Sequence, residues 1–122
     1  MSPIRVVLYR EADASVPFLD WYDDLPEKAQ DKCRVRLERL AALGDELRRP
    51  EADYLRDNIY ELRVRLGTTN YRMLYFFHER AMVVLSHGVV KADRVPPAEI
   101  DRAAARKRQF DRDPAGHTFA EE

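Results

Sequence analysis

Between residues 60 and 91 lie most of the side chains that could do chemistry: Glu61, Arg63, Arg65, Tyr71, Arg72, His87 and Lys91, with Arg94 just beyond. A guanidinium group presents planar N–H donors that match phosphate or carboxylate oxygens, and an ammonium holds them as a point charge. Cations fixed at this spacing therefore predict the binding of an anion. On a strand, alternate residues face opposite ways. Glu61, Arg63 and Arg65 then share one face, while Tyr60, Leu62, Val64 and Leu66 share the other. A four-residue hairpin loop over residues 67–70 would pair Leu66 with Tyr71 and set Arg65 opposite Arg72, so that Arg63, Arg65 and Arg72 form one patch. Like charges facing each other across a sheet are unfavourable by a few tenths to about 1 kcal/mol per pair. Such a patch calls for a bound anion or an acidic partner, unless it is simply the solvated face of a two-sided sheet.

The elements that would position these groups can be read along the chain. Residues 4–10 predict a short first strand, and residues 17–25 a helix with Ser15 or Val16 near its cap and Pro17 in its first turn, where a missing N–H is tolerated. Pro26 restarts the chain into a second helix with an apolar stripe of Ala29, Cys33, Leu37 and Leu40, ending at Gly44. The polar residues 45–57 read as a connector, with one helical turn near residues 50–54. Two strands flank the 67–70 turn, a further turn falls at residues 78–80, and the apolar run 81–86 predicts a strand covered on both faces. Pro96 and Pro97 break the chain before a last helix over residues 98–110, which turns Ile100, Ala103, Ala104 and Phe110 inward. The expectation is an α+β domain over residues 1–110, in the order β-α-α-β-β-β-α with an antiparallel-rich sheet. Residues 111–122, poor in apolar groups, predict a frayed, flexible tail.

Composition narrows the function. A net charge of −1 over 122 residues argues against a uniformly basic nucleic-acid binder. The distribution is uneven: residues 1–59 carry 10 basic and 13 acidic side chains, residues 60–110 carry 10 and 5, and residues 111–122 carry 1 and 4. The middle segment can therefore attract phosphates with strong salt dependence, even on a near-neutral chain. The single cysteine, Cys33, excludes an internal disulfide and suits a reducing compartment, and no apolar run is long enough for a membrane span, so cytoplasm is expected.

Other candidates read as structural. Trp21 sits at helical spacing with Phe18, Tyr22 and Leu25 and predicts a core anchor. Asp20, Asp23, Asp24 and Glu27 read as a solvated helix face. Neither the cysteine nor the scattered histidines show zinc-ligand spacing, so no metal or cofactor is expected. The dispersed glycines build no phosphate-cradling loop, and Ser86, His78 and His117 have no setting for catalysis.

The segments Pro17-Phe18-Leu19, the helix closing at Gly44, Ile59-Tyr60-Glu61-Leu62-Arg63, Tyr71-Arg72-Met73-Leu74-Tyr75-Phe76 and His87-Gly88-Val89-Val90-Lys91, followed by Pro96 and an Ala-rich helix, resemble a toxin of the RelE/ParE superfamily. The likeness is to its phage-derived, HigB-like branch and spans residues 4–110. It implies a small α+β toxin of a type II toxin–antitoxin pair. The partners implied are a cognate antitoxin of helix-turn-helix type, the ribosome and its mRNA, operator DNA only through the antitoxin, and no membrane. Members of the superfamily either cleave mRNA in the ribosomal A site or, in the ParE branch, poison gyrase.

Under this resemblance Arg63 falls on the family's second-strand cation, Arg72 on the arginine of its Tyr-Arg element, and Lys91 on the first of its paired lysines. The second lysine is Ala92 here, with Arg94 near enough to supply the charge, and the tyrosine used by some RelE-type toxins on the final helix has no counterpart. Metal-free RNA cleavage needs a base for the 2′-OH, an acid for the 5′-oxygen and cations for the phosphate. Arg63, Arg72 and Lys91 suit the last role, while Arg65, Arg94 and Tyr71 would hold flanking RNA. Glu61 and His87 are the available acid and base, although Glu61 also fits as a plain neutraliser of Arg63, and His87 as a satisfied buried histidine. A ribosome-dependent mRNA endonuclease is the resulting expectation. A gyrase inhibitor and a catalytically degenerate corepressor that only binds its antitoxin stand beside it.

Overall fold

Strand β5 organises the molecule. The computed structural model describes residues 4–90 and 93–119. In chain order its elements are β1 (Arg5–Leu8), α1 (Pro17–Tyr22), α2 (Glu27–Leu43), β2 (Ala52–Arg56), β3 (Ile59–Leu66), β4 (Thr69–His78), β5 (Met82–Val90) and α3 (Pro97–Arg112), with 3-10 turns at Gly44–Glu46 and Ala115–His117. Among the described residues five strands form one sheet in the order β1-β5-β4-β3-β2. The β1–β5 pair is parallel and the remaining pairs are antiparallel. The architecture is α+β, as expected.

The two faces of the sheet are covered by different helices. Leu62, Val64, Met73, Tyr75, Val83 and Leu85 pack against Phe18 of α1 and Ala29, Cys33 and Leu40 of α2. Opposite them, Val7, Ile59, Leu74, Phe76 and Val84 pack against Ile100, Ala103, Ala104 and Phe110 of α3. The predicted helical stripes supply these contacts. Pro17 opens α1 at its first position with Val16 as cap, and α2 stops at Gly44. Trp21 lies so close to β5 that a Cβ placed on Gly88 would sit 2.0 Å from its ring, so Gly88 lets α1 approach the strand.

Three local expectations are revised. First, the stretch read as a connector contributes β2, an edge strand antiparallel to β3. Only Ala52 of that strand is buried, so its sequence carries little apolar alternation. The turn into β3 uses Asp57 and Asn58, both at positive φ, the backbone pattern favoured in two-residue hairpins. Second, the β3–β4 loop contains two residues rather than four. Gly67 takes φ +63°, Leu66 pairs with Thr69, Arg65 faces Asn70, and Arg63 faces Arg72. The shift in pairing is two residues, so every side chain keeps its expected face. Third, α3 continues to Arg112, and the following turn brings Thr118 to Tyr9 in a β-bridge and the Phe119 N–H to the Leu8 carbonyl at 2.9 Å. The imidazole of His117 stacks on Tyr9 with centroids 5.2 Å apart, an aromatic contact that compensates for the segment's lack of aliphatic groups.

Candidate anion-binding site

At the hairpin end of the sheet, on the face that α3 covers only in part, β3 and β4 place Arg63 and Arg72 directly opposite each other. The repulsion this creates is answered from within the protein. Glu61, two residues before Arg63 on the same face, is 3% exposed, and its carboxylate lies between the guanidinium groups. Arg72 Nη1 donates to Glu61 Oε1 at 2.5 Å, and Arg63 Nη2 donates to Glu61 Oε2 at 3.3 Å. Arg72, 7% exposed, also donates through Nη2 to the backbone carbonyl of Asp93. Asp53, carried by the unexpected strand β2, accepts from Arg63 Nη2 at 3.2 Å and pairs with Arg49 at 2.8 Å. The hydrogen bond from Arg49 holds the Asp53 carboxyl below its ordinary range. The Nε atoms of Arg63 and Arg72 are both buried and have no hydrogen-bond partner among the described residues.

A cleft of about 540 Å³ opens beside this network, lined by Arg36, Glu51, Arg63, Arg65, Tyr71, Arg72 and Asp93. The Arg63 side chain retains 34% of its exposure there, so it is the arginine of the opposed pair that reaches solvent. Arg36 enters from α2, donating to the Arg63 carbonyl at 2.5 Å and lying 3.5 Å from Glu51. Its position in the sequence resembles that of any polar residue on a helix, and only packing of α2 on β3 reveals it. Arg65 turns its Nε to the Gly67 carbonyl at 3.1 Å. Tyr71 packs edge-on against Trp21 while lining the cleft. A smaller cleft of about 300 Å³ shares Arg36, Val64 and Arg65 and adds Asp31, Lys32 and Val35. Arg94 is exposed on the segment leading to α3. Lys91, and with it Ala92, lies outside the described residues.

His87 belongs to a second polar cluster, beneath α3. An irregularity in the β4–β5 pairing, where Leu74 faces His87 and Tyr75 faces Leu85, leaves Ser86 as the extra residue and aims Ser86 and His87 at Arg106. Arg106 Nη1 lies 3.0 Å from His87 Nδ1, and arginine can only donate. Nδ1 is therefore an acceptor, and Nε2 carries the ring proton and donates to Glu99 Oε1 at 3.1 Å. Ser86 Oγ, 2.8 Å from Nδ1, is wholly buried. Burial first, and then the Arg106 charge, lower the His87 pKa to about 4. Burial likewise pulls the Arg106 guanidinium below its ordinary range, and with the neighbouring Glu11 it pushes Tyr9 up to about 12. Arg106 and Glu99 carried no signal in the sequence beyond being polar positions on an amphipathic helix.

Glu61, Arg63 and Arg72 thus meet at one point, Arg65 and Tyr71 line its opening, and His87 is held apart with Glu99 and Arg106. Fold and site together define a small α+β domain with an arginine-lined cleft suited to anions at one end of its sheet. Residues 20–108 match the phage-derived Gp49-like proteins, and the chain belongs to that family. The family is associated with toxins of toxin–antitoxin systems, of RelE-like type. No curated protein matches the chain. Among the described residues no helix is long and apolar enough to cross a membrane.

Proposed function

We propose that this chain is the toxin of a type II toxin–antitoxin pair, of the HigB-like branch, and that it cleaves mRNA on the ribosome without a metal. The observation that carries the reading is the arginine-lined cleft in a chain of a toxin-associated family. In this reading Arg63, Arg72 and Lys91 stabilise charge on the scissile phosphate, and Arg65, Arg94 and Tyr71 hold flanking nucleotides. Glu61 is the acid/base group that adjoins the cleft arginines. His87, with its ring proton committed to Glu99, stands in the separate cluster beneath α3 and takes no direct part at the phosphate in this reading. Substrate selection comes mainly from the ribosome, since a domain of this size offers little surface for reading sequence. The antitoxin, of helix-turn-helix type, covers the cationic face and brings the pair to operator DNA. The site of action is the cytoplasm.

One observation favours a second reading, a degenerate domain that binds its antitoxin without cutting RNA: Glu61 and Asp53 already neutralise the opposed arginines. Primer extension on a defined mRNA, with and without programmed ribosomes, separates the two. The expected result is a cut confined to the A-site codon, dependent on ribosomes and reduced at least about tenfold in Arg63→Ala, whose loss of phosphate stabilisation would raise the barrier by about 1.4 kcal/mol or more. An uncut message from folded protein would favour the binding domain.

A further inference from the structure

We infer that the Arg63–Arg72 pair is a phosphoryl-binding site whose resident occupant is the protein's own Glu61, so that a phosphate group binds by displacing this carboxylate. The inference rests on the placement of the site in the proposed function and adds how that site is kept closed. Its first support is the register: Arg63 and Arg72 face each other, an unfavourable pairing unless an anion lies between them. Its second is the occupant. Glu61 is almost wholly buried and gives one oxygen to each arginine, the position an external anion would take. Its third is the residue of unused capacity. The Nε–H groups of both arginines are buried without an acceptor among the described residues, a donor deficit that a two-oxygen carboxylate leaves and a phosphoryl group, with more oxygens, is better suited to fill. The approach is open, because Arg63 lines the cleft and keeps a third of its side-chain surface in contact with solvent. Asp53 and the Asp93 carbonyl hold the outer N–H groups of the two arginines, so the guanidinium groups stay in place when Glu61 leaves.

The competition has a direct test with inorganic phosphate as the probe. Phosphate is titrated into wild type and Glu61→Gln at constant ionic strength, with chloride as control, and affinity is read by calorimetry and by the shift in melting temperature. Removing the competing charge is expected to raise phosphate affinity at least about tenfold, equivalent to about 1.4 kcal/mol. The gain is expected to vanish in Glu61→Gln/Arg63→Gln. Equal or weaker phosphate binding by Glu61→Gln, or a gain that survives in the double variant, would overturn the proposal. If Glu61→Gln alone proves unfolded, added phosphate is expected to refold it, and failure to do so would count equally against the site. The nuclease reading fails separately. A protein that cuts no message but shows the Gln gain loses the activity and keeps the anion site, whereas one that cuts with unchanged phosphate affinity does the reverse.

Discussion

Arg72 and Glu61 illustrate how burial changes the meaning of a charged residue. On a solvated strand the arginine could be removed with little effect on folding. Here it is the buried partner of a buried carboxylate. Deleting one member of such a pair leaves the other uncompensated, at a typical loss of about 3–5 kcal/mol. Arg72→Ala is therefore expected to be strongly destabilised in urea unfolding, while Arg72→Met combined with Glu61→Gln recovers most of the loss. An unchanged midpoint in Arg72→Ala would show that the pair does not hold the sheet, and activity lost in that variant has to be separated from lost folding. His87 makes a different prediction. Its pKa is lowered from 6.5 to about 4 on folding, so between those values the unfolded chain binds a proton that the folded chain does not. The sign follows: stability is unaffected by this group above about pH 6.5 and falls as pH drops from there toward 4, by roughly 3 kcal/mol in all. In His87→Gln the stability slope across that window is expected to flatten. An identical slope in both proteins would place the titrating group elsewhere. Glu51 and Asp53, held low by Arg39 and Arg49, lose their stabilisation as pH falls through the ordinary carboxylate range and below, equally in both proteins, so the difference between the two slopes reports the histidine.

Among the elements, β2 and α1 show how much of the site depends on secondary structure distant in sequence. Strand β2 brings Asp53 beside Arg63, and without it the solvent-facing arginine would keep, among the described residues, the ion pair with Glu61 alone. Helix α1 fixes the strand that carries His87 by seating Trp21 on Gly88. A methyl group at residue 88 has no room, and overpacking of this kind typically costs about 1–3 kcal/mol. Gly88→Ala should lower the melting temperature, and adding Trp21→Leu to it should restore part of the loss. If Gly88→Ala melts like wild type, the helix does not sit where its contacts imply.

For the molecule as a whole, charge placement matters more than the total. The net charge is −1, yet Arg36, Arg63, Arg65 and Arg72 converge on one cleft, whose lining also holds Glu51 and Asp93 and whose opposed arginines pair with Glu61 and Asp53. RNA binding through such a cleft should weaken steeply with salt despite the neutral total. Removing one phosphate contact reduces the slope of log affinity against log salt by about 1, so Arg65→Ala is expected to bind RNA more weakly with a shallower slope. An unaltered slope would place Arg65 outside the RNA path. The segment after α3 also acts at this scale, since the His117 ring and the Thr118 bridge join the end of the described chain to Tyr9, next after β1, and the Phe119 N–H joins it to Leu8 of β1.

Periodicity by itself determined the α+β class, the helical stripes and the face on which Glu61, Arg63 and Arg72 lie, because these are properties of near neighbours in the chain. The face survived a two-residue error in hairpin register, since side chains on a strand alternate with a period of two. Strand β2 was illegible because a solvated edge strand needs few apolar residues, and the chain beyond residue 110 because one stacked ring and a pair of backbone bonds leave no apolar pattern. Only the tertiary structure decided which charges meet. Asp53, Asp93 and Arg36 reach the arginines from segments far apart in sequence, and Arg106 and Glu99 reach His87 across the α3–sheet interface. An ionisable side chain draws its partner and its proton affinity from whatever folding packs around it, and the local sequence does not encode those neighbours.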